Sequence, residues 1–185
     1  MRRRELREHI FKLLFMAEFN TTEEMPEQLR LYFEDMEELT QSDQQYMEQK
    51  YAAVREKLPV IDERLNKVSK GWKTGRMNKV DLSVLRLAVY ELLFDEAIPE
   101  GVAINEAVEI AKKFGGEDSR SFVNGILGKI AEEENHALRL FGRTGEPLYQ
   151  EYVHAGLLPA EDLCQGRGFQ LQISYQRASL LFAEG

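Results

Sequence analysis

Residues 79–95 read KVDLSVLRLAVYELLFD, the most apolar stretch of the chain. Val80, Leu82, Val84, Leu85, Leu87, Ala88, Val89, Leu92, Leu93 and Phe94 spread around most of a helical wheel instead of along one edge. An apolar stripe that wide predicts a central helix buried on most sides, so other segments must supply the walls around it. Pro99 stops the chain after this segment. Residues 102–114 return to helical spacing and end at Gly115-Gly116, which suits a helix C-terminus. Asp118 or Ser119 then caps a last helix through Phe122, Val123, Ile126, Leu127 and Ile130.

Upstream, residues 3–19 place Leu6, Ile10, Leu13, Leu14 and Ala17 at helical spacing. Asn20-Thr21-Thr22 ends that segment and caps a short helix over 25–36 with Leu29, Tyr32 and Phe33. Ser42-Asp43 reads as the N-cap of a longer run carrying Tyr46, Tyr51, Val54 and Leu58. Pro59 is expected to break or kink that run and to open a new helix with Ile61, Leu65 and Val68, closed by Gly71. No segment sustains strand alternation. The fold class is all-α, a compact bundle of six to seven helices.

The chain has 185 residues with 24 Lys+Arg against 32 Asp+Glu, a formal charge of −8. Its length suits one domain, or one domain with an appendage. No run of eighteen apolar residues exists to span a membrane, and no signal peptide follows the basic start. The single cysteine, Cys164, can form neither an internal disulfide nor a cysteine-based metal site, which points to a cytoplasmic setting. The acidic total argues against bulk nonspecific binding of nucleic acid, but not against a local basic patch. Composition shifts near 131–136. Residues 1–134 hold 20 basic and 27 acidic residues, whereas 135–185 hold four Arg, no Lys and five acidic residues. The expected organisation is therefore a helical body over 1–134 and a weakly structured extension over 135–185. Within the extension, 148–158 reads as a short helix and 169–175 alternates like a strand.

Catalytic patterns are missing. His9, His136 and His154 are scattered, and neither a phosphate loop, a metal-spaced cluster nor a nucleophile motif is present. No enzyme, metal or cofactor is expected. Glu132-Glu133-Glu134 reads as a solvated helix end. The first helix offers more. Arg4, Arg7, Phe11 and Phe15 form a stripe apart from the apolar one, with Arg3 beside it. Guanidinium groups hold phosphates and aromatic rings stack on unpaired bases, so this stripe suits single-stranded nucleic acid. Spacing alone leaves a second and commoner reading, in which Phe11 and Phe15 pack on a neighbouring helix and the arginines solvate its edge. The 114–119 loop with Phe122 reads first as a turn, a cap and a core ring. Trp72 beside Gly71 reads as an anchor at a helix junction.

Val102-Ala103-Ile104-Asn105-Glu106-Ala107 and Asp118-Ser119-Arg120-Ser121-Phe122-Val123-Asn124-Gly125, together with the segment over 80–93, closely resemble the NusB family of transcription antitermination factors. The Arg-rich start with Leu14-Phe15 resembles that family's N-terminus. The resemblance covers about 1–131. It implies a helical bundle that binds boxA-type single-stranded RNA of ribosomal RNA leaders together with NusE, a small-subunit ribosomal protein, within an RNA polymerase antitermination complex. By the same resemblance, Arg3, Arg4, Arg7, Phe15, Asp118 and Phe122 belong to the RNA surface, and Asp81 to the surface facing NusE. Phe11 gains no such support and is left to the core. Asn105 and Glu106 are read as structural, with the polar side chain near a helix start satisfying free backbone groups, and Arg86 and Glu91 as pairing or capping internally.

Family members usually stop near 131–135, so 135–185 departs from the pattern. An RNA cytosine methyltransferase with a NusB-like N-terminal domain would need a nucleotide-binding fold and a catalytic cysteine, which this extension is too short to supply. A helical module for protein interaction or homodimerisation, without RNA, remains the alternative.

Overall fold

The computed structural model describes residues 1–141, with side chains described as far as 135. The expected helix over 148–158, the strand over 169–175 and most of the extension lie outside the described residues. Among the described residues there are six α-helices and one 3-10 turn, and no strand: α1 Arg3–Met16, α2 Met25–Glu34, α3 Gln41–Val68, α4 Lys79–Phe94, α5 Glu100–Phe114 and α6 Ser119–Phe141.

The apolar segment over 79–94 is the hub of the bundle. α4 packs against α1, α3 and α5, and Leu82, Val84, Leu85, Leu87, Ala88 and Val89 are all buried. Asn78 caps the helix by accepting the Val80 N–H at 2.9 Å. α1 turns Leu6, Ile10, Leu13 and Leu14 inward, while Ala17 is half-buried.

α3 differs from expectation in two ways. Its N-cap is Thr40, whose hydroxyl accepts the Asp43 N–H at 3.2 Å. It also runs unbroken through Pro59. Proline in a helix interior removes one hydrogen bond at a cost of about 3 kcal/mol. Pro59 lies on the exposed side, while Met47, Tyr51, Val54, Ile61, Leu65 and Val68 form one buried column above and below it. Each such side chain contributes about 1.5–3 kcal/mol when buried, so packing outweighs the missing bond.

The chain leaves α3 through Ser69, whose hydroxyl donates to Leu65 O at 2.6 Å and meets Trp72 O at 2.7 Å. Gly71 follows with φ +87°, a left-handed conformation that favours glycine. Arg86 on α4 bonds Asp62 on α3 at 2.8 and 2.7 Å and also pairs with Glu18. Burial alone would raise the Glu18 carboxyl, but the hydrogen bond from Lys79 and the charge of Arg86 hold it below its ordinary range. α6 is anchored back to α3, since Arg64 pairs with both Glu133 and Glu134. Two of the three glutamates read as a solvated end therefore hold helices together.

α2 closes over α1 through His9 Nδ1 and the Tyr32 hydroxyl at 2.6 Å. Burial, with the nearby Lys12 charge, lowers the pKa of His9, and burial pushes Tyr32 up to about 12. A histidine held below its unfolded value binds its proton more readily in the unfolded chain. Its contribution is complete above about pH 6.5 and is lost as pH falls through the depressed folded value. Unfolding free energy should accordingly fall more steeply between pH 7 and 5 in the natural chain than in His9→Gln, measured by urea titration at each pH. Coincident slopes would clear His9 of this role.

Candidate nucleic-acid interface

The first two turns of α1 carry three arginines in two different settings. Arg3 is exposed and has no hydrogen bond or ion pair among the described residues. Arg4 is 55% exposed and reaches Glu109 at 3.4 Å and Glu106 at 3.7 Å on α5. Arg7 faces inward, with its side chain only 10% exposed. Its Nε donates to both Glu91 oxygens at 2.9 and 3.0 Å, and Nη1 lies 3.7 Å from Glu106. The reason is angular: Arg7 lies about 20° from Leu14 on the wheel and one turn from Ile10 and Phe11, all buried. Burial pushes the Glu91 carboxyl up while the Arg7 charge opposes the rise. Arg86 and Glu91 are thus both paired internally, though not with each other, and Glu106 is the carboxylate that Arg4 and Arg7 share. Asn105 is exposed within α5 and caps nothing in the described hydrogen bonds.

Phe11, Phe15 and Phe19 follow one another at four-residue spacing along α1 and its end. Phe11 is buried against Phe114, with centroids 5.2 Å apart. Phe15 is half-buried and stacks edge-on with Phe19 at 5.0 Å. Phe11 is core, as the packing reading of the stripe has it, and Phe15 lies at the rim. Sequence reasoning missed the cations here: Lys12 and Lys113 lie 5.9 and 5.1 Å from the centre of the Phe114 ring.

Phe114 leads directly into the α5–α6 turn. A Cβ on Gly115 would run into Ser119 and the Ala111 carbonyl, so glycine is required for this close approach. Gly116 N–H donates to Ser119 Oγ at 2.9 Å. The turn leaves Asp118 exposed and Phe122 half-buried. Phe122 meets the Trp72 ring edge-to-face at 6.4 Å. Trp72 itself is 59% exposed, which corrects its reading as a packed anchor. The Ser69 bonds pin its backbone and leave the indole outside. The charge run around it was the signal available for finding it. Asp81, in the first turn of α4, is buried, and its Oδ1 lacks a hydrogen-bond partner among the described residues.

No group of three His, Cys, Asp or Glu side chains among the described residues is placed to hold a metal ion. No described helix is long and apolar enough to cross a membrane. The helical bundle thus exposes arginine beside a half-buried aromatic ring on α1, and sets Trp72 of the α3–α4 loop against Phe122 of α6. The NusB family model matches residues 4–132, and the chain belongs to that family. The transcription antitermination protein NusB of Lachnoclostridium phytofermentans is 49% identical over 132 residues, spanning 71% of this chain and 100% of the relative. That of Agathobacter rectalis is 46% identical over 131 residues, with 71% and 100% covered. Among solved structures, NusB of T. maritima superposes with a TM-score of 0.64 at 39% identity, covering 72% of this chain and 92% of that one. A complex of NusB and NusE with double-stranded RNA, 22% identical, shares the fold with a TM-score of 0.60, covering 71% of this chain and 96% of that one. The family is one of transcription antitermination factors and not of enzymes.

The inward arginine makes a stability prediction. Arg7→Ala strands a carboxylate that is 3% exposed and should cost about 3–5 kcal/mol in urea unfolding. Arg7→Met with Glu91→Leu should recover most of that loss. An equal loss in the double variant would show that the charges are not the cause.

Proposed function

We propose that the protein is a cytoplasmic antitermination factor that binds boxA-type single-stranded RNA of ribosomal RNA leaders together with NusE. In this reading the pair joins the RNA polymerase antitermination complex and supports passage through terminators. The observation that carries it is the pairing, in a chain of this family, of exposed Arg3 and Arg4 with the rim ring Phe15 on one helix. Arg3 and Arg4 take phosphates, and Phe15 and Phe122 offer faces to bases. Exposed Asp118 accepts hydrogen bonds from base edges. Arg7 acts from within by fixing the start of α1. Asp81, in the first turn of α4, belongs to the side that faces the protein partner.

The net charge of −8 fits assisted, selective binding better than strong solitary binding. Arg3→Ala with Arg4→Ala should weaken binding of a short boxA-type RNA and lower the salt slope of log Kd by about 1.4, since each phosphate no longer neutralised removes about 0.7. Thermal unfolding should shift only slightly, since Arg3 is unpaired and the Arg4 bridges to Glu106 and Glu109 are long and largely exposed. Unchanged affinity and slope, read by fluorescence anisotropy, would remove these arginines from the interface.

The working body is 1–134, and 135–185 is an appendage to it. Relatives of 132 matched residues are covered over their full length, which supports this division. A chain cut after residue 135 should keep its melting temperature and its RNA affinity, with and without NusE. A large loss of either would make the extension part of the working body.

A further inference from the structure

We infer that Trp72 is a base-stacking residue that extends the RNA path from Phe122 onto the loop between α3 and α4. The inference rests on the RNA-binding reading above.

Its first support is charge. Residues 67–79 read KVSKGWKTGRMNK, with five cationic residues and no acidic one, in a chain whose net charge is −8. Lys79 is engaged by Glu18 and Lys67 lies 4.0 Å from Glu133. Lys73 reaches only a backbone carbonyl, Asn66 O, at 3.2 Å. The Lys70 and Arg76 side chains are exposed and have no hydrogen bond or ion pair among the described residues. Three cations of the loop that carries the exposed ring are thus left without carboxylates. Burial among apolar partners would stabilise a tryptophan more than this setting does, and a locally cationic protein surface attracts polyanions.

The second support is rigidity. The Ser69 hydroxyl fixes the backbone at Leu65 and Trp72, and Asn66 Oδ1 accepts the Thr74 N–H at 2.8 Å. Phe122 holds the indole edge-to-face at 6.4 Å. A ring held from the side and open to solvent on much of its surface offers a base a platform with little ordering cost. Ammonium and guanidinium groups beside it take the flanking phosphates. Stacking tolerates any base, so Trp72 adds affinity and length of contact more than sequence choice.

Trp72 is the single tryptophan of the chain, so its emission reports on this site alone. The full chain is titrated with a fluorescently labelled boxA-type RNA while anisotropy and tryptophan emission are followed together. Emission should be quenched saturably, with the same midpoint as the anisotropy. Trp72→Leu should weaken binding at least about fivefold, Trp72→Phe less. Circular dichroism and melting of both variants should match the natural chain, because the ring is largely outside the core. Normal RNA affinity in Trp72→Leu, or binding with unchanged emission, would overturn the inference and leave the RNA reading intact. Absence of any anisotropy change at low salt would overturn both. Loss of NusE binding with RNA affinity intact would show that the loop is a protein-docking surface instead.

Discussion

The contact between Arg7 and Glu91 joins the start of α1 to the last turn of α4, and Glu106 brings α5 into the same cluster. Taking two charges out of water is costly, and such a pair is weak evidence for stability on its own. Its effect is on register. Only one rotation of α1 lets the guanidinium face both Glu91 oxygens while Leu6, Ile10 and Leu13 enter the core. That rotation carries Arg3 and Arg4 to the surface and Phe15 to the rim. The same ordering of α1 places Phe11 against Phe114, just before the turn that opens α6. The proposed interface is therefore fixed from beneath, by a bond that touches no ligand.

Much of the chain's acidity is turned inward. Glu18, Asp62, Glu91, Glu106 and Asp95 all face cations, several of them across helix boundaries. Many carboxylates behind the net charge act as internal ties. The cations of α1's first turn and of the 67–79 loop are by contrast left partly or wholly uncompensated. A single net charge averages these two populations and describes neither.

Much of the fold was legible in the residues. The breadth of the 79–95 stripe announced a central helix, and helical spacing with Gly115 and Pro99 marked the last helices. Local rules failed where tertiary packing overruled them. Pro59 reads as a breaker, but a buried column on both sides of it keeps α3 whole. Thr40 caps α3 because its hydroxyl reaches Asp43 N–H, whereas the sequence reading set the cap at Ser42-Asp43. The sequence reading grouped Arg7 with Arg4, although the wheel sets it close to Leu14, because the carboxylate that receives it is 84 positions away. Trp72 defies its sequence reading for the opposite reason: tryptophan is usually packed, and only the loop's hydrogen bonds show that the indole is kept out.

Glu106 serves both Arg4 at the surface and Arg7 inside. Recognition and folding are consequently not independent under mutation. A change at Arg4 that alters ligand preference also alters the charge balance around a buried pair, and its cost depends on which residue occupies position 7. Lineages drifting toward a different RNA would have to move through these positions in a permitted order, with compensation on α5 coming first. A shared carboxylate of this kind would slow divergence of the proposed binding face.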